Sequence, residues 1–149
     1  MTFDWMDVRD WQLLKLLQTD ARTTFAELGR RVKLTPPAVA ERVRRMEDQG
    51  VIGGYTARVN LAAVGRGMRV FLRVQVLTKE YPKFIRTVQG LRAVEECHHI
   101  TGGESFLLKA AVRDVAELEQ LIEKLSVFGQ TVTSIVLSTS LSHRLVEPD

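Results

Sequence analysis

The sequence predicts an α+β chain in two parts, three helices followed by a βαββαβ run. Apolar residues recur at helical spacing up to Gly50; from Gly67 on, stretches alternating at period two are interleaved with further helical stretches. Charge divides along the same line. Between Gly29 and Arg45 lie six basic residues (Arg30, Arg31, Lys33, Arg42, Arg44, Arg45) and one acid, Glu41. Of 21 basic residues, 21 less 6 leaves 15 elsewhere, and of 18 acids, 18 less 1 leaves 17. The net charge of +3 therefore resides wholly in one short segment, as a local phosphate-binding footprint requires.

The first predicted helix starts at Asp7, with Asp10 three residues on, and packs through Leu13, Leu14 and Leu17. Trp11 points away from that stripe, as a partly covered surface aromatic or a subunit contact. Thr24-Phe25-Ala26-Glu27 has the capping-box pattern and opens a second helix burying Phe25, Leu28 and Val32. Gly29 is small where two helices must cross closely, and Lys33-Leu34 makes a short turn. Thr35 then suits an N-cap, Pro36 a first helical position and Gly50 a stop. In that third helix Val39, Val43 and Met46 form the apolar stripe. Pro37, Ala38, Glu41, Arg44 and Arg45 fall on the opposite side, with Arg42 on the flank. Small side chains at the start and guanidinium groups later suit a helix whose N-terminal end enters a DNA major groove.

Residues 51–60 place β-branched and aromatic residues around Gly53-Gly54, a short strand or hinge between domains. Met68, Val70, Leu72, Val74 and Val76 alternate as a strand. Residues 79–91 are helical, with Tyr81, Phe84, Ile85, Val88 and Leu91 on one stripe. Two strands, 93–101 and 105–113, are joined by the tight turn Gly102-Gly103-Glu104. Asp114 begins a helix with Glu117 in its first turn, buried through Leu118, Leu121, Ile122 and Leu125; Gly129 stops it, and 131–140 alternate again. In one antiparallel sheet this order is ferredoxin-like. The expected domains are a winged helix-turn-helix unit over 1–50, a hinge strand and linker over 51–66, the βαββαβ domain over 67–140, and a surface tail over 141–149.

Several function classes are excluded. The apolar runs are too short to span a bilayer, and the acidic, charge-interrupted N-terminus is no secretory leader. One cysteine, Cys97, forms no internal disulfide and fits a reducing cytoplasm. Glu95, Cys97 and His99 alternate on one strand face, a spacing open to zinc, yet no second pair completes a tetrahedron, so no metal or other cofactor is expected. No nucleophile elbow, phosphate loop or dinucleotide fingerprint accompanies the three histidines, so no catalytic residue is assigned.

Four stretches carry a resemblance: DAR at 20–22, ERVRRMEDQGVIGGYTA at 41–57, EECHHITG at 95–102 and QTVTSIVLS at 130–138. Over nearly its full length the chain resembles the Lrp/AsnC family of bacterial and archaeal feast/famine regulators. The resemblance implies an N-terminal domain on double-stranded DNA and a RAM-type C-terminal domain that dimerises and senses amino acids. It also implies a homodimer through the C-terminal sheet and higher assembly such as a tetramer of dimers. Phosphate contacts then fall to Arg30, Arg31, Arg42, Arg44 and Arg45, and base reading to Thr35, Pro36, Pro37, Ala38 and Glu41, with Glu41 more suited to pairing with Arg45. An α-amino-acid effector would sit between dimers on the backbone of Gly102 and Gly103, with Glu104 or Ser105 toward its amino group. Gln130, Thr131, Thr133 and Ser134 would line it from the last strand. Two departures stand out: Lys33 replaces the glycine usual in the turn, which implies strain there, and Glu104 stands where an Asp is common. Two other classes stay open, a sirohaem-decarboxylase-like enzyme of related architecture using His98 or His99, and a nucleoid-type architectural DNA-binding protein.

Overall fold

The computed structural model describes residues 5–148. The chain forms two compact units, one running to Arg58 and including the segment from Leu141, the other Val59–Ser140. Residues 51–58 and the C-terminal segment thus belong with the helices, where a separate linker and tail were expected.

The first unit holds α1 (Val8–Thr19), α2 (Phe25–Val32) and α3 (Pro36–Asp48). Asp7 caps α1 by accepting from the Arg9 and Asp10 N–H groups, and the Asp10 carboxylate accepts from the Asp7 N–H in return. Thr24 caps α2 through the Glu27 N–H. Leu13, Leu14, Leu17, Leu28, Val32, Val39, Val43 and Met46 make the core. Gly29 is where α2 meets the turn: a Cβ there would stand 2.4 Å from the Leu34 carbonyl oxygen. Lys33 ends α2 at φ 56°, the sole non-glycine residue with positive φ among the described residues, so the expected strain is present. Arg9 steadies this turn by donating to the Val32 and Lys33 carbonyls.

Three expectations need correction in this unit. Phe25 is exposed rather than core: it is the first residue of α2, whose buried positions begin one turn later at Leu28. Trp11 is the partly covered aromatic expected, but it packs against the core rather than pointing away from it. Residues 51–60 form no strand: among the described residues the first strand begins at Met68, so the helix-turn-helix has no wing ladder. Val51 and Ile52 spend their N–H groups on the Met46 carbonyl at the end of α3, which closes the helix.

The second unit contains β1 (Met68–Val74), a 3₁₀ turn (Thr78–Glu80), α4 (Tyr81–Gln89), β2 (Val94–His99), β3 (Phe106–Val112), α5 (Val115–Ser126) and β4 (Thr131–Ile135). The sheet order is β2-β3-β1-β4, antiparallel throughout, which is the ferredoxin-like arrangement expected. Val70, Leu72, Val74, Phe106, Leu108 and Ala110 face α4 and α5, which contribute Phe84, Val88, Leu118, Leu121 and Leu125. Ile85 is exposed, because the covered stripe of α4 is only Phe84 and Val88 wide. Gly129 has φ 155°, and a Cβ would lie 1.8 Å from the Gln75 carbonyl oxygen. That close passage lets Gln75 N–H reach the Gln130 carbonyl and start the β1–β4 pairing. Among the described residues no helix is long and apolar enough to cross a membrane.

Candidate functional site

The outer side of α3 begins with Thr35, Pro36 and Pro37 exposed and Ala38 half-exposed. Thr35 takes the N-cap backbone geometry, but its hydroxyl makes no cap hydrogen bond. One turn later Glu41 and Arg44 face solvent, 73% and 68% exposed, at 4.0 Å from each other. Glu41 thus stands by Arg44, correcting the expected Arg45 pair. From α2, Arg30 and Arg31 converge on Glu27, whose carboxyl is held low by the Arg31 hydrogen bond and the charges of both arginines against slight burial. These exposed pairs hold little energy.

Arg42 and Arg45 are placed differently. Arg42 Nη1 donates to Asp7 Oδ2 and Asp10 Oδ1, both at 2.8 Å, and Arg45 Nη2 donates to Asp10 Oδ2 at 3.0 Å. Asp10 is fully buried, and the Arg42 side chain is 25% exposed. The Arg45 guanidinium also lies over the Trp5 ring, 4.7 Å from its centroid. Hydrogen bonds to Asp10 and then Asp7 push the Arg42 pKa further up against burial. Burial raises Asp7, but hydrogen bonds from the Asp10 N–H, Arg42 and the Arg9 N–H outweigh it and leave its carboxyl below the ordinary range. Arg42 is therefore corrected from an outward flank to an inward tie between helices. The pattern Asp7-x-x-Asp10 accounted for a helix start by itself, so nothing local advertised partners more than thirty residues away.

The residues expected to bind an effector lie on the connection before β3 and on β4, with β1 between those two strands. The 100–105 connection is six residues rather than a tight turn, with Gly102 and Gly103 exposed and Gly102 at φ 118°. Ser105 N–H donates to the Val74 carbonyl, and its hydroxyl donates to the Val76 carbonyl, so this side chain fastens the loop to β1. Glu104 lies 3.9 Å from Arg73, half-exposed. Register places Thr131 beside Val74, Thr133 beside Leu72 and Ser134 beside Phe71, with Gln130 just before.

Glu95, Cys97 and His99 do not form a trio. A bulge between Val94 and Glu96 takes Glu95 out of the alternation, and His99 packs edge-on against Tyr81 and beside Phe106. Among the described residues no group of three His, Cys, Asp or Glu side chains could hold a metal ion. Glu96 instead takes Lys109 at 2.7 Å and His98 at 3.0 Å, and those bonds hold its carboxyl below the ordinary range against burial.

Residues 6–47 match the AsnC-type helix-turn-helix domain, and residues 69–146 match the Lrp/AsnC ligand binding domain. The chain belongs to the Lrp/AsnC family. This family member is 34% identical over 133 residues to the HTH-type transcriptional regulator LrpC of Bacillus subtilis, covering 89% of this chain and 92% of that protein. It is also 34% identical to the leucine-responsive regulatory protein of Escherichia coli K12, covering 95% and 91%. The LrpC structure superposes with a TM-score of 0.87, at 33% identity over 93% of this chain and 99% of the other. A Neisseria meningitidis transcriptional regulator in complex with L-Met superposes at 0.88, with 25% identity over 95% and 96%. As an Lrp/AsnC protein the chain is a DNA-binding transcriptional regulator with an effector domain, and these relatives are regulators rather than enzymes.

Proposed function

We propose that this regulator reads double-stranded DNA with the N-terminal end of α3, as a homodimer working in the cytoplasm. Thr35, Pro36, Pro37 and Ala38 meet base edges and the sugar-phosphate wall, with Glu41 at the margin, while Arg44, Arg30 and Arg31 take phosphates. One observation carries this reading: the exposed side of α3 opens with small side chains and a Thr35 hydroxyl that makes no cap hydrogen bond, about two turns ahead of an outward Arg44. Two such helices in a dimer would meet half-sites about one helical turn apart. The same reading makes the regulator respond to an amino acid held at the 102–105 loop. The neisserial relative's L-Met supports that class of ligand. The Gly102 and Gly103 N–H groups suit a carboxylate and Glu104 an ammonium group, while Gln130, Thr131, Thr133 and Ser134 supply polar edges. Ser105 holds the loop rather than the ligand. Further assembly, such as a tetramer of dimers, would bring such loops from neighbouring dimers together.

The test is DNA affinity measured over a salt series, with and without each amino acid. Arg44→Ala should weaken binding to all duplexes and reduce the slope of log K against log salt by about one. Unchanged affinity and slope in Arg44→Ala, Arg30→Ala and Arg31→Ala would remove this face. An amino-acid panel that produces neither heat nor any change in DNA affinity would remove the effector reading.

A further inference from the structure

We propose that Asp10 is a positioning residue for DNA reading, which withholds Arg42 and Arg45 from phosphate and fixes the roll of α3. This rests on the reading of α3 as the recognition helix. Its carboxylate accepts three hydrogen bonds: the Asp7 N–H at 3.0 Å, Arg42 at 2.8 Å and Arg45 at 3.0 Å. With Asp7 it forms a cluster of two carboxylates and two guanidinium groups whose charges cancel. Asp10 has no solvent exposure, so a phosphate that drew both arginines away would leave a buried anion without counter-charge, held by the Asp7 N–H alone. That outcome costs more than a rim contact returns. Two of the five arginines in the basic segment therefore act on the protein rather than on DNA.

The same bonds govern geometry. Arg42 and Arg45 leave α3 one turn apart, between the buried stripe of Val39, Val43 and Met46 and the exposed side carrying Arg44. Both end on Asp10, which sits on α1 among Leu13, Leu14 and Leu17. Two anchors at one point on a neighbouring helix oppose rotation of α3 about its axis. With side-chain tips about 5 Å from a helix axis, a roll of roughly 10° moves them by about 1 Å. Hydrogen bonds to base edges do not survive such a shift, whereas contacts to phosphates do. The clamp thus protects sequence discrimination more than bulk affinity.

The experiment measures salt slope and the ratio of operator to non-specific affinity. The operator is a duplex selected by the wild-type protein from a random pool, and the competitor is a mixed-sequence duplex. Arg42→Met and Arg45→Met keep their stems over the core, and both should leave the salt slope at the wild-type value. Arg42→Met should lower the operator ratio by about tenfold. Asp10→Asn, checked for folding by circular dichroism, should steepen the slope by up to about two as both guanidinium groups are released. Its non-specific affinity should rise and its operator ratio fall, which a merely structural carboxylate would not produce. A slope reduced by about one in either methionine variant would overturn the proposal, because that arginine would then be a phosphate contact. Wild-type slope and ratio in a folded Asp10→Asn would also overturn it. Where Asp10→Asn or Arg42→Met does not fold, Arg45→Met decides alone, since it keeps the Arg42–Asp10 pair. Arg44→Ala runs alongside: if it retains the wild-type slope, the failure belongs to the proposed DNA face and not to the clamp.

Discussion

Gly29 and Lys33 bracket the turn between α2 and α3 and constrain it in opposite senses. Gly29 has no room, because any side chain would press on the backbone oxygen of Leu34, which cannot swing aside without breaking the turn. Leu34 in turn donates its N–H to the Gly29 carbonyl, so the close approach and the hydrogen bond form one feature. Lys33 has space but the wrong sign of φ, and tolerates it because its N–H, as the cap of α2, and two Arg9 bonds hold the loop closed. Gly29→Ala should therefore destabilise the helical unit by roughly 1–3 kcal/mol, an overpacking cost against a backbone atom. Urea unfolding followed by far-UV circular dichroism measures it, and a loss well under 1 kcal/mol would show that the turn can open.

At the scale of elements, α3 is closed on its C-terminal side by its own carbonyls and by Tyr55, whose hydroxyl donates to Glu47 Oε1 at 2.8 Å. Burial, the hydrogen bond to Glu47 and its charge together push the Tyr55 pKa up to about 12. A raised folded value means that Tyr55 contributes stability below its unfolded pKa of about 10 and loses it as pH rises toward 12. Wild-type protein should lose stability between those pH values, and Tyr55→Phe should show a flatter alkaline limb in thermal melts across that range. Elements were legible where one side of a period is buried along its whole length. Val39, Val43 and Met46, or Val70, Leu72 and Val74, are such stripes. Legibility failed where burial depends on how far a neighbour extends, as at Phe25 and Ile85, which continue correct stripes past the edge of their cover. It failed again at Glu95, since a bulge changes register without changing residue pattern. At the candidate site the outward half of α3 followed from periodicity. Arg42 did not, because its partners lie on another helix and already had a local task as caps.

Across the whole molecule, two surfaces remain where chain segments or copies have work to do. On the helical unit a groove of about 890 Å³ runs between α1 and residues 49–58, and Val146 lines it. The Gln18 amide grips that residue twice, donating to the Val146 carbonyl at 2.9 Å and accepting its N–H at 2.8 Å, while Lys15 pairs with Glu147. Gln18→Ala should speed tryptic cleavage after Arg144 while leaving helical content unchanged; equal cleavage rates would show that the segment is held elsewhere. The second surface is the sheet face turned away from α4 and α5. Cross-strand register puts Phe71 beside Lys109 and Ser134, and Arg73 beside Leu107 and Val132, so apolar and polar residues are interspersed on it. Phe71 is 41% exposed there. An antiparallel sheet that meets water on one face usually sets polar residues along it, and here Phe71, Leu107 and Val132 interrupt the polar residues Arg73, Lys109 and Ser134. In the proposed homodimer it would lie against the same face of a second copy, an isologous contact in which Phe71 of each chain lies near the other. Phe71→Lys would then place like charges across that contact without disturbing the buried side of β1. Sedimentation velocity should give a monomer with native circular dichroism, and DNA affinity should drop to that of one half-site. A folded Phe71→Lys that sediments with the wild-type mass would exclude the sheet face as the dimer contact.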